Sequence, residues 1–102
     1  MRYKTKIVKR QPEDKDVEEG VLYLLPDDCA VFRVDLYLRA GPPFHFLYRK
    51  ILRLNLKEGR KPRWRVSTNK KGQPTIEPSV LSKDHPDFHF YLRDGKVLWI
   101  DQ

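Results

Sequence analysis

His89-Phe90-Tyr91-Leu92-Arg93-Asp94-Gly95-Lys96-Val97-Leu98-Trp99-Ile100 is the stretch that decides the fold. Phe88, Phe90 and Leu92 alternate with His89, Tyr91 and Arg93, the period of two that marks a half-buried strand. Asp94-Gly95 supplies the two residues of a type I′ turn, whose central positions both need φ > 0, and Lys96 to Ile100 returns as a second strand. A two-residue turn sets the register: Arg93 opposite Lys96, Leu92 opposite Val97, Tyr91 opposite Leu98 and Phe90 opposite Trp99. The last is an aromatic cross-strand pair, and the pattern places it in the core.

The same period recurs upstream. Trp64, Val66 and Thr68 alternate with Arg63, Arg65 and Ser67, which predicts another half-exposed strand. Asn69-Lys70-Lys71-Gly72 connects it to Gln73–Val80, where Pro74 and Pro78 argue against the centre of a sheet and predict an edge strand or an extended loop. Phe32, Val34, Leu36 and Leu38 alternate with Arg33, Asp35, Tyr37 and Arg39, and Gly41-Pro42-Pro43 breaks the run. Phe44, Phe46, Tyr48, Leu52, Leu54 and Leu56 then face away from His45, Arg49, Arg53 and Asn55, with Lys50 interrupting the apolar side. Leu47, Ile51 and Leu54 also fit a short helix, but the period of two accounts for more residues. Val21–Leu25, closed by Pro26-Asp27-Asp28, reads as a buried strand, and Tyr3–Val8 as an edge strand running into the charged loop Gln11–Asp16.

These segments predict an all-β, mainly antiparallel domain: a small sandwich or partly open barrel of about six to eight short strands ending in a β-hairpin. The expected core is Val21, Tyr23, Phe32, Val34, Leu36, Phe46, Leu52, Leu54, Trp64, Val66, Phe90, Leu92, Val97 and Trp99. The 102 residues suit one domain, with 1–19 partly flexible. Five Phe, five Tyr and two Trp can fill the core of a short chain, while 34% charged residues imply that this core is thin and its surface heavily solvated.

Several function classes are disfavoured. No run approaches the roughly 18 apolar residues of a membrane span, and Met1–Lys6 lacks the apolar segment of a signal peptide, so a cytoplasmic protein is expected. Cys29 is the sole cysteine, which excludes an internal disulfide and a multi-cysteine metal site and casts it as a small buried hydrophobe. His85-Pro86-Asp87-Phe88-His89 carries two histidines beside Asp84 and Asp87, but on an extended segment residues four apart lie about 13 Å from each other, too far to share an ion. Neither metal nor cofactor is expected. A Cys-His or Ser-His pair drawn from Cys29, His45, His89, Ser67, Ser79 and Ser82 has no support in spacing, and no G-x-S-x-G elbow or H-E-x-x-H is present, so the sequence points away from an enzyme.

Charge is the feature with functional content. Ten of the 21 basic residues lie between Arg49 and Lys71 against Glu58 alone, although the whole chain carries only +7. Arg49, Arg53, Arg60, Lys61, Arg63, Arg65, Lys70 and Lys71 are the candidate binding residues, with guanidinium groups on two neighbouring strands forming a band that suits phosphates or carboxylates. Tyr37 and Tyr91 add stacking surface on that face. The competing interpretation is that long basic side chains keep a small sheet soluble and cover apolar surface with their stems.

Glu19-Gly20-Val21-Leu22-Tyr23, Trp64-Arg65-Val66, Glu77-Pro78-Ser79-Val80 and His89 to Trp99 together resemble the bacterial family called domain of unknown function 6527, whose pattern runs G-V-L-Y, W-x-L, P-S-I-G-N-W and C-x-S-H-Y-W-I-x-x-G-x-V-x-W. That family looks like small zinc-binding β domains. Here Arg33-Val34-Asp35-Leu36-Tyr37-Leu38 stands in place of its C-x-C-G-C cluster and Pro86 near its later cysteine, leaving His89 alone at a presumed ligand position. The resemblance therefore implies a member that has lost the metal, with the long run Phe44–Leu56 in place of the metal knuckle. Such families occur in bacteria and phages, sometimes beside ubiquitin-like conjugation components. The expected function is a non-enzymatic protein-interaction module whose basic face meets an acidic protein surface; the alternative is a nucleic-acid-binding protein using residues 49–71. A homodimer through an edge strand is compatible with either.

Overall fold

The computed structural model describes residues 1–39, 45–82 and 88–100, and of residues 37–39 and 45–46 the backbone alone. Eight strands follow in chain order: β1 (Lys4–Ile7), β2 (Val21–Leu25), β3 (Cys29–Arg39), β4 (His45–Asn55), β5 (Arg65–Thr68), β6 (Pro74–Leu81), β7 (His89–Arg93) and β8 (Lys96–Trp99), with a single 3-10 turn at Asp14–Asp16. They form two four-stranded sheets, β1-β2-β3-β4 and β5-β6-β7-β8. Every pairing is antiparallel except β1 with β2. The fold is all-β, and its sheets do not close into a barrel. Tyr48 to Asn55 is strand throughout, so the helical spacing at Leu47, Ile51 and Leu54 has no structural counterpart.

The two sheets face each other across one apolar layer. Leu22, Ala30, Phe32, Val34, Leu52 and Leu54 of the first sheet meet Ile76, Val80, Phe90 and Leu92 of the second, with Tyr3 and Phe88 sealing the layer. Rings run through it edge to face: Tyr3 on Phe32, Phe32 on Phe90 at 6.1 Å and Phe90 on Phe88 at 5.9 Å. Each such pair adds about 0.5–1.5 kcal/mol beyond the area it buries. Leu36, Trp64, Val66 and Val97 are packed against the layer but only half-buried, and the Phe46 side chain lies outside the described residues.

The terminal hairpin has the expected register and turn, with Asp94 at φ 48° and Gly95 at φ 79°. Gly95 also ties the sheets together. Its carbonyl accepts the Tyr3 N–H at 2.7 Å and its own N–H reaches the Pro74 carbonyl at 2.8 Å, while a Cβ there would sit 2.6 Å from the Tyr3 carbonyl oxygen.

Three expectations need correction. First, Pro74–Leu81 is not an edge: β6 lies between β5 and β7. The prolines are tolerated because Pro74 is the first residue of the strand and Pro78 falls where the β6–β7 ladder is irregular, so neither removes a needed donor from a regular ladder. Second, Trp99 is 39% exposed. It meets Phe88 and Phe90 edge-on at 5.3 and 5.4 Å, but β8 is the sheet's edge strand and leaves the indole's other side open. Third, the first sheet is covered on its other face too: Val17, Tyr23, Leu25 and Val31 form a second buried cluster with Val8, Val21, Cys29 and Ile51 around it. The charged segment 9–16 carries Val8 and Val17 at its ends. The Tyr23 hydroxyl fastens it, donating to the Asp16 carbonyl and accepting the Glu18 N–H.

Candidate functional site

The second sheet departs from regular pairing at one place. Between the pairs Ile76↔Leu92 and Val80↔Phe90 the chain advances four residues on β6 and two on β7, so Glu77-Pro78-Ser79 bows out opposite Tyr91. A bulge of this kind re-aims the side chains it carries. Val80 and Phe90 point into the sandwich, so Ser79 and His89, each next to one of them, lie on the outer face. There the Ser79 Oγ is 3.0 Å from the His89 Nε2. With Nε2 unprotonated, the serine hydroxyl donates to it.

Both backbones are pinned. The Trp64 Nε1–H donates to the Ser79 carbonyl at 3.3 Å, reaching across from the residue preceding β5. On the other side, the His89 carbonyl accepts the Ile100 N–H at 2.9 Å and the Phe88 carbonyl accepts the Ser82 N–H at 2.9 Å. Ser79 and His89 are each half-buried, shielded from bulk water yet open at the face. Asp84, His85, Pro86 and Asp87, which precede His89, lie outside the described residues. Among the described residues no group of three His, Cys, Asp or Glu side chains could hold a metal ion.

The basic residues 49–71 are spread over β4, β5 and the loops around them. β4 and β5 belong to different sheets, and the two segments meet where the Trp64 N–H donates to the Asn55 carbonyl at 2.9 Å. Arg49 stands 3.5 Å from Asp35, whose carboxyl is held below the usual carboxylate range chiefly by its hydrogen bonds from Arg33. Arg53 pairs with Asp27 at 2.6 Å and contacts Gln11, and its Nη2 lies 3.4 Å from the Cys29 Sγ. Arg63 donates to the Leu56 carbonyl, and Arg65 lies 3.7 Å from Glu77. Lys57, Arg60 and Lys61 project from a loop that Asn55 organises: its Nδ2 donates to the carbonyls of Lys57, Arg60 and Pro62 and its Oδ1 accepts the Lys57 N–H. Arg53, Lys57, Arg60, Lys61 and Trp64 line an open pocket together with Asp27 and Cys29. Lys70 and Lys71 sit in the β5–β6 turn, built around Asn69 Oδ1, which accepts the N–H groups of Lys71 and Gln73. Tyr91 is half-buried on the outer face of the second sheet, with the Arg93 guanidinium 4.6 Å above its ring. The Tyr37 side chain lies outside the described residues.

Spacing along the chain does not join Ser79 to His89. The missing link was tertiary: they are ten residues apart on strands whose pairing is shifted by the bulge, and neither period nor turn chemistry signals that shift. The readable hint was Glu77-Pro78-Ser79, a proline inside an otherwise strand-like run.

A family profile described as "Bacterial ubiquitination-like system serine protease (BubE)" matches residues 48–100. The matched stretch begins within β4, includes the whole second sheet and contains Trp64, Ser79 and His89. No curated protein and no solved structure matches the chain. Of the expected resemblance, membership of a bacterial domain family linked to a ubiquitination-like system stands, and the chain belongs to the BubE family.

Proposed function

We propose that this chain is a serine peptidase of a bacterial ubiquitination-like system, with Ser79 as nucleophile and His89 as general base. The observation that carries this reading is the 3.0 Å approach of Ser79 Oγ to His89 Nε2 on an open sheet face, in a chain whose family is described as a serine protease. The reading replaces the non-enzymatic module expected from spacing alone. It is also supported by the motifs resembling domain of unknown function 6527, since P-S and S-H-Y-W are the segments that carry Ser79 and His89.

The chemistry follows the serine–histidine pattern. As Ser79 Oγ attacks the scissile carbonyl carbon, its proton passes to His89 Nε2. The tetrahedral adduct collapses when the imidazolium gives that proton to the leaving amine, breaking the C–N bond and leaving an acyl group on Ser79. Water then attacks the ester, losing a proton to His89, which returns it to Ser79 Oγ as the acid departs. A positioned base of this kind is worth about 10²–10⁴ in rate. Trp64 keeps the nucleophile's backbone from drifting, and a misplacement of about 1 Å can cost about 10²-fold.

The basic loop supports a role for acidic protein surfaces as substrates or partners. Asn55 holds Lys57, Arg60 and Lys61 on a pre-formed frame, so little ordering is left to be done on binding. The split of the arginines between sheets, and their engagement with Asp35, Asp27 and Glu77, weighs against a phosphate-tracking band.

A fluorophosphonate reporter tests the reading. Wild-type protein is expected to be labelled on Ser79, located by peptide mass spectrometry, while Ser79→Ala abolishes labelling and His89→Ala slows it at least 100-fold, both with unchanged far-UV circular dichroism. Absence of wild-type labelling, or labelling that survives Ser79→Ala, sinks it.

A further inference from the structure

The outer face of the second sheet is apolar where the serine sits. The bulge Glu77-Pro78-Ser79 stands opposite Tyr91 on β7, and Leu98 pairs with Tyr91 on β8, so Tyr91 and Leu98 continue across the face from the segment that carries Ser79. The next row holds Leu81 paired with His89. Leu81 is 52% exposed and Leu98 36%, two of the large apolar side chains left open among the described residues; Leu81 pairs with His89, and Leu98 with Tyr91. Their strand neighbours Val80, Val97 and Trp99 pack toward the core side, so the alternation directs Leu81 and Leu98 outward. An exposed leucine alone means nothing; two beside a nucleophile, with a tyrosine between them, make a surface.

The direction of the reaction assigns the two rows. His89 Nε2 must reach both the Ser79 Oγ and the leaving amine, so the leaving group lies over the His89 row, beside Leu81. The acyl side then extends the other way, over Tyr91 and Leu98. We infer that the protein cleaves after a bulky apolar residue, whose side chain lies on Tyr91 and Leu98, in a substrate bound extended across the outer face of the second sheet. The inference rests on the dyad reading and adds its substrate preference. Arg93, paired with Lys96 and stacked on Tyr91, keeps that ring in place and puts positive charge beside the row. A site of this shape separates a leucyl from a glycyl residue by apolar contact, about 10–200-fold.

Diphenyl phosphonate esters of short peptides test this directly, because they phosphonylate an active serine with loss of phenol and carry only the acyl-side residues. Leucyl, glycyl and glutamyl phosphonates would be compared by inactivation rate constant, with the adduct on Ser79 read by mass spectrometry. The leucyl compound is expected to react at least tenfold faster than the other two. Leu98→Ser, a surface change checked by thermal melting, is expected to bring the leucyl-to-glycyl ratio to within a factor of two of unity. Equal rates for the three compounds on wild type, or an undiminished ratio in Leu98→Ser, overturn the inference while plain fluorophosphonate labelling leaves the dyad intact. Failure of fluorophosphonate labelling removes both. Light scattering that finds a wild-type dimer converted to monomer by Leu98→Ser assigns the face to a second copy and likewise overturns it.

Discussion

The β3–β4 ladder and the β6–β7 ladder are built to different rules. β3 and β4 pair without interruption from Cys29↔Asn55 to Arg39↔His45. β6 and β7 pair at Ile76↔Leu92, lose register, and resume at Val80↔Phe90. The regular ladder contributes Ala30, Phe32, Val34, Leu52 and Leu54 to the core, and its Arg33, Arg49 and Arg53 are occupied in ion pairs with Asp35 and Asp27. The irregular one contributes core residues too, but at the break it turns a serine outward onto a histidine. Regular pairing carries one register through the whole β3–β4 ladder, whereas the bulge resets the register of β6 against β7, and the register that follows brings Ser79 to His89 on one face.

The largest effect should come from the regular ladder's contribution to the core. Phe32 is fully buried, edge-on to both Tyr3 and Phe90, and so holds the N-terminal segment and both sheets at once. Phe32→Ala should cost about 3–5 kcal/mol in urea unfolding, a large fraction of the about 5–15 kcal/mol that holds a typical domain together. A loss under about 1 kcal/mol would mean that the sheets are held together elsewhere.

Next comes the hinge between the two regions. Gly95→Ala puts a Cβ 2.6 Å from the Tyr3 carbonyl oxygen at φ 79°, a conformation that already costs an alanine about 1–2 kcal/mol. Because the obstructing atom is backbone, β1 must move away and the Tyr3 N–H to Gly95 bond must lengthen. The total should be about 2–3 kcal/mol in the same measurement, with the amide of Tyr3 losing its protection from hydrogen exchange. Retained protection at Tyr3 would show that the turn gives way instead of β1.

What could be read from the sequence follows the same division. Alternation at Phe32 to Leu38, at Trp64 to Thr68 and at His89 to Arg93 is a local signal, and Asp94-Gly95 has few ways to be anything but a tight turn; those elements were legible, and with them the all-β class. The interior position of β6 was not, because a proline's effect depends on whether its missing N–H falls on a ladder bond, and that is known only once the neighbours are placed. The second cluster around Tyr23 was hidden because Val8 and Val17 are isolated apolar residues at the ends of a polar segment, whose burial comes from the segment folding over the sheet. Ser79 and His89 were visible as residues and invisible as a pair, since their contact depends on the register that β6 and β7 take up after the bulge. The basic stretch was conspicuous for the opposite reason: charge counts are linear in sequence, and they do not reveal that β4 and β5 separate into different sheets.

The smallest change in stability should separate the two ladders most sharply. Trp64 is half-buried against the core, and its indole N–H makes the bond to the Ser79 carbonyl. Phenylalanine keeps much of the packing and loses the donor. Trp64→Phe should therefore cost only about 1 kcal/mol of stability, the worth of one partly buried hydrogen bond. Its effect on the dyad should be out of proportion to that: fluorophosphonate labelling of Ser79 about tenfold slower at every pH, with the pH at half-maximal rate unmoved, since His89 keeps its surroundings while the serine loses its fixed backbone. A purely structural tryptophan would lower stability and leave the labelling rate of the folded fraction alone. A shifted pH midpoint would instead mean that the tryptophan acts on the histidine. If Trp64→Phe slows labelling at constant midpoint while a stability loss of about equal size on β4, such as Ile51→Val measured under folding conditions, does not, then the bulge is held by contacts of its own and the chemistry depends on those, with the regular sheet serving as the platform they are attached to.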